Sequence, residues 1–218
     1  MEFVSNIYDL DCGYDIVRWI QFIEKKEKLV KKPSKDHILQ YQEEIIQLND
    51  SALAYFFACE FPVNKYKMQQ IVLNNNDYLY SYLFAKNVKD ADIKALEKIV
   101  LKSKNIKLIC KFICNIEKAS KDLEELILKS KNYKYIYYYL KNGKNQDLNK
   151  VLDILMASKK PRYLYEVSKY IDDLFDLEKI ETSLLESKNY NYIRMFAANN
   201  KFANIERIED FILENRYR

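Results

Sequence analysis

Residues 130–158 read "SKNYKYIYYYLKNGKNQDLNKVLDILMAS", and residues 75–103 read "NNDYLYSYLFAKNVKDADIKALEKIVLKS". Set one above the other, both open on a polar turn, run through closely spaced rings, break briefly, and close on a second apolar run ending in Ser. Self-similarity at a fixed period is the mark of a repeat architecture. Residues 104–130, 159–187 and 188–215 fall on the same pattern. Residues 49–74 keep it too, with Asp50, Leu53, Tyr55 and Phe57 standing where Asn132, Tyr135, Tyr137 and Tyr139 stand. Six clear units result, each of about 28 residues.

Each unit reads as two helices. Helix A opens at Asp50, Asp77, Asn105, Asn132 or Asn189, whose short polar side chains suit the free amides of a first turn. Large residues then recur at helical spacing, as in Tyr135, Ile136 and Tyr139 or Tyr80 and Phe84. Helix B opens at Asp92, Asp122, Asp147, Asp176 or Asn204 and carries apolar stripes such as Leu177, Ile180, Leu184 and Leu185. The links are short, which forces antiparallel hairpins. No hairpin of this size buries its own apolar face, so neighbours must stack.

The expected fold is therefore all-α, an α-solenoid of tandem antiparallel helix hairpins, right-handed in type. Residues 49–218 form the repeat array as one continuous solenoid domain, and residues 1–48 form a degenerate N-terminal helical cap with Ile16, Trp19, Ile20 and Ile23 on its apolar stripe. Most of the 19 tyrosines are expected as core or near-core rings with hydroxyls at the edge of the stack. Tyr138 falls off the buried stripe. Only two glycines and three prolines occur, which agrees with helices rather than hairpins of strands.

Residues 75–103 resemble a short helical repeat found in poorly characterised proteins of large DNA viruses and phages. The match is carried by Tyr80, Tyr82, Phe84, Ala85, Val88, Lys89, Ala91, Asp92, Ile93, Ala95, Leu96, Glu97, Val100 and Ser103. Later units depart from it: Phe196 and Ala197 survive, whereas the "VKxADI" stretch does not. The resemblance implies an array of HEAT-like or TPR-like helix pairs and a viral origin, and it brings no catalytic residue with it.

Chemistry was sought in the usual places. His37 is the one histidine, set in "SKDH" at the start of a helix, where a solvated residue is expected rather than a catalytic base. Two glycines cannot write a phosphate-binding loop or a dinucleotide fingerprint. Cys110 and Cys114, four residues apart, would need further ligands to hold a metal, and are read with Cys12 and Cys59 as small apolar residues. Carboxylate pairs such as Glu124 with Glu125 and Asp172 with Asp173 are read as parts of solvated faces. No enzyme, cofactor or metal is expected.

Charge is more informative. In the last four units the A halves total +13 and the B halves −10, against a net +4 for the chain. In a solenoid this alternation becomes two faces of opposite sign. The expected contact stripe comprises Lys104, Lys107, Lys111, Lys131, Lys134, Tyr138, Lys141, Arg162, Lys169 and Arg194. Three readings follow: a non-enzymatic scaffold docking a protein or peptide, a DNA- or RNA-binding surface that combines cations with rings, or a self-associating structural protein. Scarce arginine weighs against nucleic acid. No membrane span or basic signal segment is legible, so a soluble cytoplasmic protein is expected, in the host cytoplasm if the viral resemblance holds.

Overall fold

The computed structural model describes residues 19–22, 25, 34–61, 64–144 and 146–215. It is all-α. Among these residues there are thirteen named helices and no strand: α1 (Lys35–Leu48), α2 (Ser51–Glu60), α3 (Lys65–Asn74), α4 (Tyr78–Asn87), α5 (Ile93–Lys102), α6 (Ile106–Asn115), α7 (Lys121–Lys129), α8 (Tyr133–Asn142), α9 (Leu148–Ala157), α10 (Pro161–Val167), α11 (Leu174–Glu186), α12 (Tyr190–Asn199) and α13 (Ile205–Asn215). The chain divides into two compact units, Met1–Ala119 and Ser120–Arg218. In the first, A helices α2, α4 and α6 pack in a row and B helices α1, α3 and α5 in another. In the second, each helix from α7 to α13 packs on the next, and α10 also packs on α12. Consecutive contacts of this kind are those of a helical-repeat solenoid.

The expected cap over residues 1–48 lies mostly outside the described residues, as do Ile16, Ile23 and Cys12. Trp19 is buried, stacks on Phe56 at 5.9 Å and donates to Glu60 at 3.2 Å. Ile20, placed on the same apolar stripe by the sequence, is instead exposed.

The turn from each B helix to the next A helix sets the repeat. Asn49, Asn76, Lys104, Lys131, Lys159 and Lys188 all have left-handed backbones, with φ between 49° and 52°. In the four Ser-Lys turns the serine hydroxyl donates at 2.6 Å to the carbonyl three residues back, from Ser103, Ser130, Ser158 and Ser187. The same hydroxyl accepts from the amide two residues on, at Asn105, Asn132, Lys160 and Asn189. A helix C-terminus and the following N-terminus are thus satisfied by one side chain. Asp50, Asp77, Asn105 and Asn189 then cap their A helices as the sequence indicates.

Two expected caps on B helices are displaced. Ser120 rather than Asp122 precedes α7, and Asp173 rather than Asp176 caps α11, accepting from Asp176 N at 3.1 Å. In both, the helix starts earlier than its apolar stripe does.

Eight residues after each left-handed residue lies a core side chain: Phe57, Phe84, Phe112, Tyr139, Val167 and Phe196, none more than 1% exposed. Burying each such ring contributes about 1.5–3 kcal/mol. Tyrosines one turn-face away behave as expected of core rings with polar ends. Within the first unit Asn87 Nδ2 donates to Tyr55 Oη at 2.6 Å and Asn115 Nδ2 to Tyr82 Oη at 3.0 Å; within the second, Asn199 Nδ2 reaches Tyr165 Oη at 3.4 Å. Each bond links an A helix to the A helix of the preceding repeat.

A second set of links joins the B helices. Seven residues ahead of the left-handed positions stand Gln42, Gln69, Glu97, Glu124, Leu152 and Glu181, all buried. Gln42 Oε1 accepts from Asn64 N at 3.0 Å, Gln69 Oε1 from Asp92 N at 2.9 Å, Glu124 Oε1 from Asp147 N at 2.8 Å, and Glu181 Oε2 from Asn204 N at 2.9 Å. Each therefore latches the start of the next B helix. This corrects the reading of Glu124 as part of a solvated carboxylate pair: Glu125 is exposed and pairs with Lys129, whereas Glu124 is a buried structural acceptor that also receives Tyr139 Oη at 3.2 Å.

Candidate interaction surface

The contact residues expected from sequence divide between the two units. In residues 1–119, Lys104 is the left-handed residue between α5 and α6, while Lys107 and Lys111 lie one turn apart on α6. Lys104 and Lys107 are exposed and Lys111 is half-buried. Lys107 and Lys111 line a groove of 610 Å³ with residues of the first turn of α4.

In residues 120–218, Lys131 is again a left-handed turn residue. Lys134, Tyr138 and Lys141 belong to α8, Arg162 to α10 and Arg194 to α12, and Lys169 follows α10 directly. All are exposed, Tyr138 at 42%. Tyr138 stands off the core, as its place in the repeat indicates.

The structure adds residues that the sequence reading missed. Tyr133 and Tyr137, one turn apart on α8, meet Tyr163 of α10 at ring-centroid distances of 6.1 and 5.8 Å. Cations cover them: Lys160 lies 5.0 Å from the centre of Tyr133, and Lys141 and Arg162 lie 5.1 and 5.9 Å from that of Tyr137. Nearby, Lys134 lies 5.8 Å from Tyr135 and Lys169 4.2 Å from Tyr165, whose ring meets Tyr192 of α12 at 6.1 Å. Cation–ring contacts of this exposed kind are worth about 0.5–1 kcal/mol each, which biases the charges toward the rings. The signal for Tyr133 and Tyr137 was their four-residue spacing beside Lys134 and Lys141, which a count of tyrosines conceals.

Glu166 is the carboxylate within this cluster. It accepts Lys169 Nζ at 2.9 Å. Burial works against its ionisation, but hydrogen bonds from Lys169 and Tyr137 outweigh burial and hold its carboxyl below the usual range. Burial in turn raises the Tyr137 hydroxyl above its ordinary value. The hydrogen bond to Tyr137 keeps Lys141 firmly protonated. The cluster is thus a fixed array of cations over rings, with its one negative charge engaged internally.

The B side differs in sign. A groove of 590 Å³ between α11 and α13 is lined by Glu186, Glu206, Asp210 and Glu214 against Arg207, and Arg207 is drawn to the latch carboxylate Glu181 at 3.3 Å.

The remaining candidates for chemistry are placed as follows. His37 completes a capping box with Ser34, its Nδ1 receiving the Ser34 amide at 3.2 Å. Cys110 and Cys114 are buried free thiols, and the hydrogen bond between them, with burial, pushes the ionisation of Cys110 upward. Burial pushes the Cys59 thiol up to about 11. Among the described residues no group of three or more His, Cys, Asp or Glu is arranged to hold a metal ion, and no helix is long and apolar enough to cross a membrane.

No protein-family model matches this chain, and comparison with curated proteins and with solved structures returned no match.

Proposed function

We propose that this protein is a non-enzymatic helical-repeat scaffold that docks an acidic protein partner on the exposed surface of its A helices. The observation that supports this reading is the cluster of Lys134, Lys141, Lys160 and Arg162 lying over Tyr133, Tyr135 and Tyr137, with the Tyr163 ring packed against Tyr133 and Tyr137. Pre-positioned cations on a rigid helical frame lower the ordering cost of binding an anionic surface. The viral, cytoplasmic setting implied by the resemblance of residues 75–103 belongs to the same proposal.

The geometry favours protein over nucleic acid. Single-strand binders offer ring faces on which bases stack. Here the rings are half-buried and tilted at 42° and 48° to one another, and Tyr133 and Tyr137 carry cations. Tyr138 alone among these A-helix tyrosines is exposed, and one ring is not a stacking track.

The test compares partners captured by the wild-type chain and by Lys134→Glu/Lys141→Glu/Arg162→Glu, with single-stranded DNA and RNA as competitors. A protein retained by the wild type, lost by the triple variant and not displaced by nucleic acid supports the reading. Identical partner sets, or tight binding of the nucleic acids with a steep loss in salt, would overturn it.

A further inference from the structure

A second surface, within residues 1–119, carries its own recognition chemistry. The groove formed by the first turns of α4 and α6 has a volume of 610 Å³, in the range of pockets that hold small ligands or a few residues of a chain. Leu79 and Leu108 supply its apolar part, and the Tyr78 ring, 41% exposed, stands at its side. Lys107 and Lys111 lie four residues apart on α6 and so share a face. Neither ammonium has an ion-pair partner among the described residues, unlike Lys67, Lys129, Lys150, Lys169 and Lys179. Asn105 caps α6 through Oδ1 alone, at 3.2 Å from Leu108 N, which leaves its two amide N–H groups as donors.

We infer that this groove binds an extended acidic peptide segment, seating one apolar side chain against Leu79 and Leu108 and flanking carboxylates on Lys107 and Lys111. Charge complementarity selects an anion. The composition of the walls selects a peptide: the Asn105 carboxamide has N–H groups to offer a main-chain carbonyl, whereas Asn76 is already engaged with Asn74 O and Lys102 Nζ, both at 3.3 Å. A nucleic-acid strand brings a phosphate at every nucleotide. Against it the groove sets only two ammonium groups and one exposed ring, which is poor compensation for dense negative charge, and the Asp77 carboxylate repels either anion. Asp77 is fixed there, because it caps α4 by accepting Tyr80 N at 3.0 Å.

The inference rests on the reading of the chain as a docking module, but on a different set of residues, and the two can fail separately. The experiment is fluorescence anisotropy on the full chain with a labelled alternating Leu-Glu octapeptide. Controls are its Ser-Glu and Leu-Lys counterparts and an oligothymidylate of equal length. The Leu-Glu peptide is expected to bind saturably and more tightly than all three controls. Lys107→Glu/Lys111→Glu is expected to weaken it at least about tenfold, the loss of charge-assisted hydrogen bonds, while the far-ultraviolet circular dichroism of the chain is unchanged. Lys129→Gln/Lys179→Gln, on exposed lysines paired with Glu125 and Asp176 and outside both surfaces, is expected to leave it as in the wild type. No binding of the Leu-Glu peptide at about 1 mM, a weak affinity by any standard, would overturn the inference. So would equal binding by the Lys107/Lys111 variant, or preference for the oligothymidylate.

Discussion

At the scale of single residues, Glu124 shows what the latch requires. Its Oε1 accepts the Asp147 amide at 2.8 Å and the Tyr139 hydroxyl at 3.2 Å while the residue is 7% exposed. Both partners are donors, so an amide oxygen can serve in place of the carboxylate, as Gln42 and Gln69 do at the same register. Glu124→Gln should therefore shift stability by less than about 1 kcal/mol. Glu124→Ala leaves a backbone amide and a hydroxyl without their acceptor and should cost about 1–3 kcal/mol. Urea unfolding of the two variants and the wild type decides this; equal midpoints for all three would show that the latch carries no stability. The charge of Glu124 is thus incidental to its role, which explains why a search for paired carboxylates misread it. In sequence it is a glutamate in an amphipathic helix beside another glutamate. Only recurrence of Gln or Glu seven residues ahead of five of the six turns distinguishes it, and that register becomes visible once the left-handed residues are known.

At the scale of helices, one repeat departs from its neighbours in several ways together. Leu152 of α9 occupies the latch register and offers no acceptor. Lys160, which has no capping oxygen, stands at the N-cap of α10 where Asn132 and Asn189 stand before α8 and α12, Pro161 follows, and α10 has 7 residues where α8 and α12 have 10. The start of α11 lacks the latch given to α9 and α13. The Asp173 amide should consequently exchange with deuterium at least about tenfold faster than the amides of Asp147 and Asn204, a difference of about 1.4 kcal/mol in local opening. Exchange read amide by amide in the native chain tests this, and equal protection at the three positions would show that packing, not the latch, holds B-helix starts. What was legible in the sequence follows the same division. Asx and Ser caps, apolar stripes and the repeat length are local signals within a few residues, and they gave the helices and their order. The latch and the Tyr–Asn bonds join residues 22 to 34 positions apart and depend on how hairpins stack. The basic stripe was legible as composition, but the ring cluster of Tyr133, Tyr137 and Tyr163 required two helices to be set side by side.

At the scale of the whole molecule, net charge conceals a separation of charge by helix type. The chain carries +4, yet the A segments of its last four repeats carry +13 and the B segments −10. Long-range fields of this kind act on encounter more than on the final contact, since exposed charges are screened beyond about 8–10 Å at physiological salt. If the A-helix cations receive an acidic partner, association should slow several-fold between about 0.05 and 0.5 M salt, while dissociation changes little. Lys134→Glu/Lys141→Glu/Arg162→Glu should lower the association rate at low salt and flatten its dependence on salt. Stopped-flow or surface-based kinetics with the captured partner separates the two rates. A salt effect confined to dissociation would instead mean that the cations act only within the closed interface, as buried pairs do. An association rate unaffected by both salt and charge reversal would remove the Lys134, Lys141 and Arg162 cluster from recognition, leaving the apolar and carboxamide walls of the Lys107 groove to carry it.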